Sequence, residues 1–526
     1  YSYLNLYGDW LRERNMEWIK PGHAKSVIET RRGMSSHMSN PFLALKRGAA
    51  DENIGEFFGF SLVYSGNFNM TVEGNSCGGT RINAGINDFN FDWTLKPFES
   101  FQTPEVIMAY SNCGLNGLSN IYHKMIRERL CKGRYRDKPR PMVINNWEGT
   151  GPDFTEEKLI DIAKNGAEMG LEYFVLDDGW FGNRNKGGSL GDWYVNKDLL
   201  CNGLQGVASR VNRLGMKFGV WMEPEMISPD SDLYRAHPDW CIHSEGRKRT
   251  LNRGQLVLDL ARSDVKEYVI NAITDVLNSA NISYMKWDCN RNIGETANQM
   301  QSHKYVLALY EILETITTKF PDVLFESCSG GGGRFDPGML YYMPQTWTSD
   351  NTEPISRLSI QHGTSVVYPP ITMTAHIGKL KVGADEENDI VRTSGMVAMA
   401  ANFGLEMDLS LLSSVEKEQI KGYIELYKSI RNTVQFGSFY RLESPFEGDR
   451  VSWQFADDNK ALLFVYQTKK QANGEERRVF LKDLQPDAVY TCRGASYTGQ
   501  ELMKVGIKIP LNRYEYFSDC YVFEKQ

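Results

Sequence analysis

Apolar and polar positions change rhythm twice along the chain. From Gly55 to about Val106, short runs such as FFGFSLVYSGNFNMTVEGN, TRINAGINDFNFDWTL and SFQTPEVIMAY alternate the two classes and are punctuated by Gly and Asn. A period of two bounded by turn residues predicts antiparallel strands of a sandwich. A helical stretch, GLSNIYHKMIRERL, follows and leads through the basic, Pro-bearing CKGRYRDKPRPM, which reads as a domain junction.

Beyond that junction, apolar runs of about five residues alternate with segments of 3.6-residue periodicity. The strand candidates are MVINNW, YFVLDD, KFGVWME, LVLDL, SYMKWD, VLFESC, QTWTSD and FGLEMDLS. Helices are predicted over Thr155–Met169, around Leu204–Leu214, over Ser263–Leu277 and over His303–Phe320, the last stopped by Pro321. Eight parallel strands with intervening helices predict an α/β fold, a (β/α)8 barrel. A doubly wound open sheet is the alternative, but no glycine-rich phosphate fingerprint follows the first strand. From about Phe439 the two-residue alternation returns in RVSWQFA, ALLFVYQ and CYVFEK. The chain therefore divides into an N-terminal β-sandwich (1–112), a helical linker (113–138), a catalytic barrel (139–435) and a C-terminal antiparallel β-sandwich (436–526).

Composition narrows the partners. No stretch of this 526-residue chain approaches the roughly 18 apolar residues of a membrane helix. A net charge of -7 without a basic run argues against nucleic acid and favours a neutral or small substrate. The nine cysteines form no CxxC pair and are odd in number, which predicts free thiols and a cytoplasmic location. Aromatic residues make up 12% of the chain. Such rings stack on sugars, but β-rich cores use them equally, so composition leaves the choice open.

The chemistry is suggested by where polar residues fall. Active sites of barrels lie at the C-terminal ends of the strands, and here the apolar runs end in Trp147, Asp177 and Asp178, Trp221 and Glu223, Lys286 and Asp288, Cys328, and Asp350. One such charge is as readily a structural ion pair, but several together are hard to explain by cores alone. Glycoside hydrolysis needs two carboxyl groups flanking the anomeric carbon. Asp288 in KWDCNR stands near Lys286 and Arg291, cations that would keep it ionised, whereas Asp350 in TWTSDN has only Ser349 and Asn351 beside it, a setting compatible with a protonated acid. The glycine run in CSGGGGRFD lacks the spacing of a phosphate loop and reads equally as a tight turn or a close approach to a ligand. No cofactor or metal is expected. The only dense carboxylates are Asp177, Asp178, Glu223 and Glu225, and adjacent strand residues point to opposite faces.

VLDDGWFG, GVWMEPEM, HPDW, QLVLDL, KWDCNR, CSGGGGRFD and WTSDNTEP, in this order, closely resemble the bacterial α-galactosidases of glycoside hydrolase family 36. The likeness extends to ETRRGMSSHMSNPF and FGFSLVYSGNF in the leading sandwich. It implies a retaining, exo-acting α-galactosidase acting on α-galactoside oligosaccharides, with Asp288 as nucleophile and Asp350 as acid/base. It further implies that Asp177 and Asp178 hold the 4- and 6-hydroxyls of galactose and that Lys286 and Asn290 meet the hydroxyls beside the anomeric carbon. Trp147, Trp221 and Arg253 would line the sugar pocket, with Cys328 and Gly331 as the wall beside the 2-substituent. Members of the family usually carry a longer N-terminal domain, so the resemblance implies a chain shortened by much of that sandwich. It also implies a homo-oligomer, a tetramer in which this domain can contribute to the site. Two segments depart from the family: LNRGQL around Arg253, where GRNQL is usual, and Ala375–Asn388, where an Asn-His-Gln run is common. The rival readings are an α-N-acetylgalactosaminidase of the same family and a non-catalytic sugar-binding relative.

Overall fold

The computed structural model of the chain describes residues 1–379, 390–469, 477–510 and 516–526. In the N-terminal part a five-stranded antiparallel sheet runs Asn15–Ile19, Ser2–Tyr7, Ser39–Lys46, Phe57–Val63, Glu105–Ser111 in spatial order. A three-stranded sheet of Ser26–Glu29, Phe68–Gly74 and Thr80–Ile86 faces it. Side chains of a strand alternate between faces, so neighbouring residues serve different cores. Leu43 and Leu45 pack with Leu62, Phe68, Met70 and Val72 between the sheets, while Phe42 and Ala44 join Leu4, Leu6 and Phe57 in the large core shared with the barrel. The helix Gly114–Met125, extended by a π turn at Ile126–Leu130, buries Leu118, Tyr122 and Ile126 in that shared core and carries the chain onward. Gly59 makes this contact close, because a Cβ there would lie 2.5 Å from the Tyr122 ring.

Eight parallel strands then close into a barrel. Numbering only these, they are β1 Val143–Asn145, β2 Tyr173–Leu176, β3 Lys217–Met222, β4 Ile282–Trp287, β5 Leu324–Ser327, β6 Gln345–Trp347, β7 Met373–Ile377 and β8 Asn402–Glu406. β8 closes on β1 with Gly404, Leu405 and Glu406 opposite Val143, Ile144 and Asn145. The helix Glu156–Met169 starts where the Thr155 hydroxyl accepts the Lys158 N–H and stops at Gly170, whose φ of 93° lies in the left-handed region. Ser263–Asn278 and Gln301–Lys319 follow as predicted, each within two residues of its expected ends.

One strand assignment is corrected and one strand is added. LVLDL is not a barrel strand: Leu256–Val257 pairs antiparallel with Met226–Ile227 in a two-stranded ribbon above the rim, a direction the parallel barrel cannot accept. The place left over belongs to β7, whose Thr374 and His376 break the apolar run by which buried strands are recognised.

The chain ends in a six-stranded antiparallel sheet, Ser438–Glu443, Arg450–Ala456, Lys460–Gln467, Phe517–Lys525, Val489–Cys492 and Ala495–Thr498 in spatial order, with a two-stranded partner of Arg477–Val479 and Ile507–Ile509. Leu463, Val465, Leu481 and Phe523 form its core. All nine cysteines are free. Among the described residues, no helix is long and apolar enough to cross a membrane.

Candidate active site

Parallel strands deliver their C-terminal residues to one rim, and at this rim a cavity of about 390 Å³ opens. Trp147, Asp177, Asp178, Trp221, Arg253, Lys286, Asp288, Asn290 and Asp350 all line it. Nine of the eleven residues singled out in the sequence thus meet in one place. Cys328 and Gly331 do not reach the cavity surface. Cys328 is buried at the end of β5, and Gly331 is packed so closely that a Cβ would lie 2.6 Å from the Asp350 backbone N.

Asp288, just beyond β4, has both oxygens engaged. Oδ1 accepts the backbone N–H of Cys289 at 2.8 Å and of Gly330 at 3.2 Å; Oδ2 accepts Trp221 Nε1 at 3.0 Å and Asn290 Nδ2 at 2.7 Å. Burial alone would raise its pKa, but the Lys286 charge and these donors prevail and hold it below the ordinary carboxylate value. The glycine run of CSGGGGRFD therefore supplies an amide to a carboxylate of the protein. Arg291 does not act as expected. Its guanidinium is spent on the carbonyls of Thr250, Gln255 and Asn292, so Lys286 is the cation that matters. Adjacency in sequence did not give the direction of that side chain.

Asp350 follows β6 and sits in the opposite electrostatic setting. Burial and the nearby Asp288 charge raise its pKa, against the lowering effect of two indole donors, Trp10 Nε1 at 2.9 Å and Trp347 Nε1 at 3.0 Å, and of Lys286. Two neighbouring carboxyls are thus driven apart, one ionised and one inclined to keep its proton.

The rest of the pocket is a paired charge system. Lys286 is fully buried, which opposes its charge, yet Asp177 at 2.9 Å keeps its ammonium protonated. Asp177 also accepts Asn145 Nδ2 at 2.6 Å. Burial raises Asp178, and Arg184 opposes this through a two-pronged contact, Nε to Oδ1 at 2.9 Å and Nη2 to Oδ2 at 2.8 Å. Glu223, at the end of β3, stays beneath the surface, taking the Asn290 N–H and the Gln255 amide. Glu225 is an ion-pair residue, clasped by Arg334 at 2.6 and 3.0 Å, Trp287 and Tyr305. Among the described residues, no group of three or more His, Cys, Asp or Glu could hold a metal ion. Arg253 reaches the cavity from a left-handed backbone, φ 54°, in the LNRGQL segment.

Sequence reasoning missed Trp10, Leu11, Glu148, Arg184, Trp347 and Glu406. Glu406 and Trp347 end strands and obeyed the rule that found the others. Trp10 and Leu11 gave no such signal, because they come from the loop between the first two N-terminal strands, 340 positions from Asp350. The anchor of that loop is the buried pair Glu13 and Arg14. Glu13 accepts the Ser349 hydroxyl at 2.6 Å, and Arg14 donates to Thr364 Oγ1, Gly332 O and Thr348 O at 2.6 to 3.1 Å. Leu11 and Arg14 both adopt positive φ, 69° and 55°, a conformation that L-residues hold only under tertiary constraint.

Residues 1–96 match the model of the glycosyl hydrolase family 36 N-terminal domain, 100–437 the melibiase model and 450–523 the family 36 C-terminal domain. The chain belongs to glycoside hydrolase family 36. Among its family 36 relatives, the α-galactosidase AgaA of Geobacillus stearothermophilus is 49% identical over 98% of this chain and 73% of its own length. The α-galactosidase Mel36A of Lactobacillus acidophilus is 42% identical over 100% of this chain and 73% of its own. The AgaA crystal structure superposes with a TM-score of 0.98 at 48% identity, covering 100% of this chain and 75% of that one; a substituted AgaA has also been solved with raffinose. The segment Ala375–Asn388, where the resemblance led us to expect a departure, is described only to Lys379, and its remainder lies outside the described residues.

Proposed function

We propose that the chain is a retaining, exo-acting α-galactosidase that releases terminal α-linked galactose from oligosaccharides, with Asp288 as nucleophile and Asp350 as acid/base. The observation that carries the role assignment is the opposed setting of two carboxyls on one cavity: Asp288 held low by Lys286 and four donors, Asp350 pushed up by burial. Asp288 attacks the anomeric carbon while Asp350 gives its proton to the departing oxygen; the C–O bond breaks and a β-galactosyl ester forms on Asp288. Asp350, now a carboxylate, then takes a proton from water as the water oxygen attacks the same carbon and frees Asp288. Asp177 and Asp178 would take the 4- and 6-hydroxyls, Lys286 and Asn290 the hydroxyls near the reacting carbon, and Trp147, Trp221 and Arg253 the faces of the sugar. Cys328 and Gly331 would act from behind the wall. Raffinose, found with a substituted AgaA, is the natural first substrate to try.

Azide rescue tests the assignment. Asp288→Gly supplied with azide and an activated aryl α-galactoside should give β-galactosyl azide, and Asp350→Ala should give α-galactosyl azide. Reversed anomers would exchange the two roles, and full activity of Asp288→Gly without azide would remove the nucleophile. Hydrolysis of an aryl α-N-acetylgalactosaminide at a rate equal to the galactoside would favour the rival substrate. A homo-oligomer, tetrameric as the resemblance implies, is supported by Met108 and Tyr110, 70% and 48% exposed on the edge strand Glu105–Ser111, and light scattering checks it. Nine free thiols are what supports a cytoplasmic location.

A further inference from the structure

Of the two cavity carboxyls to which the reaction above gives no task, Glu148 already takes the Thr352 hydroxyl and the Lys379 N–H, which leaves Glu406. It ends β8, the strand that closes the barrel, and is buried but for its cavity-facing edge. Its Oε2 meets His376 Nδ1 at 3.3 Å. Oε1 has no hydrogen-bond partner among the described residues and is not among their fully enclosed unpartnered atoms, so it faces the cavity that Glu406 lines. His376 is held firmly: its ring lies 4.7 Å from the Trp347 ring, and Gly404 leaves room for it, since a Cβ there would lie 2.4 Å from His376 Cδ2. Burial keeps His376 neutral, at about 3, and His376 Nε2 is enclosed without a partner among the described residues. An enclosed lone pair costs less than an enclosed N–H, so the single imidazole hydrogen belongs on Nδ1, donated to Glu406 Oε2. A proton carried by Glu406 then falls on Oε1, toward the cavity.

We infer that Glu406 is a further substrate-binding residue, a neutral carboxyl that donates a hydrogen bond from Oε1 to a hydroxyl of the bound sugar. The inference rests on the α-galactosidase reading. Charges around the group agree with it. Asp177 after β2, Asp350 after β6, Glu326 on β5 and Glu148 beyond β1 oppose ionisation; Lys286 on β4 favours it, as does the Arg357 charge on the helix Pro354–Thr364. On its own segment, Asp408 is taken up by Lys158 and Ser410. Burial comes first among these causes, and the net effect pushes Glu406 up to about 8. The donor is therefore present at neutral pH and lost as pH rises through about 8.

Galactose itself is the probe, measured as a competitive inhibitor of aryl α-galactoside hydrolysis across pH 6 to about 10. Affinity of the wild type should fall about tenfold above pH 8, Glu406→Ala should lose about tenfold at pH 7, and Glu406→Gln, whose amide offers a donor in the same place, should recover most of that loss and be flat with pH. Equal galactose affinity in Glu406→Ala and wild type at pH 7, or an alkaline fall in Glu406→Gln parallel to the wild type, would overturn the inference. If the wild type did not hydrolyse the aryl galactoside at all, the α-galactosidase reading would fail instead. The melting temperature of each variant at pH 6 separates lost binding from lost folding.

Discussion

Single residues decide the protonation states on which turnover depends. Lys286 is the charge that outweighs burial at Asp288, so Lys286→Met should raise Asp288 and move the acid limb of the kcat/KM profile to higher pH, with activity lost first on the acid side. A profile whose acid limb stays put would exclude Lys286 from that role. Trp10 acts in the same sense on the other carboxyl. Its indole lowers Asp350, so Trp10→Phe should push that group further up and carry the alkaline limb with it. The weaker acid should cost about tenfold on raffinose, whose leaving group needs the proton, and much less on an activated aryl galactoside. Asp288, Asp350 and the paired aspartates were legible because strand ends announce themselves by interrupting an apolar run. Arg291 was misjudged because two residues of separation say nothing about where a side chain turns, and Trp10 was invisible because its partner is far away in sequence.

At the scale of elements, the loop bearing Trp10 is the feature most exposed to perturbation. Gly363, near the end of the helix Pro354–Thr364, lies so close beneath it that a Cβ would stand 1.8 Å from the Arg14 carbonyl oxygen. Gly363→Ala should therefore displace the loop and reduce kcat/KM on raffinose at least as far as Trp10→Phe does, while the circular dichroism of the barrel is retained. Unchanged kinetics in that variant would mean that the loop can shift without moving Trp10. The helices expected at Thr155–Met169, Ser263–Leu277 and His303–Phe320 were legible nearly to the residue, since periodicity, Thr155 and Pro321 mark their limits, whereas Pro354–Thr364 and Ser414–Phe436 went unread. β7 was not, because a buried strand carrying Thr and His loses the uniform apolarity that periodicity needs, and the ribbon strand Leu256–Val257 has the composition of a barrel strand without its direction.

For the whole molecule, buried carboxyls set the response to pH. Burial holds Asp336 at about 6 while it takes the hydroxyls of Ser35 and Ser65 at 2.5 and 2.6 Å, bonding the N-terminal part to the barrel; Glu406 stands at about 8. Both values exceed the ordinary carboxylate value, so the folded state binds these protons more tightly than the unfolded chain. The stability they confer is full below about pH 4 and is lost as pH rises through about 6 and then about 8. From pH 7.5 to 9, where the buried histidines are largely neutral in the unfolded chain as well, calorimetric melting temperatures should thus decline, and Glu406→Gln should flatten that decline; a wild-type melting temperature that rises over this range would contradict it. The three-part plan was legible from the changes of rhythm along the chain. How the parts interlock was not, since docking depends on Glu13, Arg14, Ser35 and Ser65, whose types occur on any surface. That interlocking makes turnover conditional on assembly. A barrel that has closed but not yet received the first hairpin would hold galactose with its proton donor only half dressed by indole, so during refolding, catalysis should return later than the fluorescence of the buried barrel tryptophans. The lag would time the arrival of one domain on another.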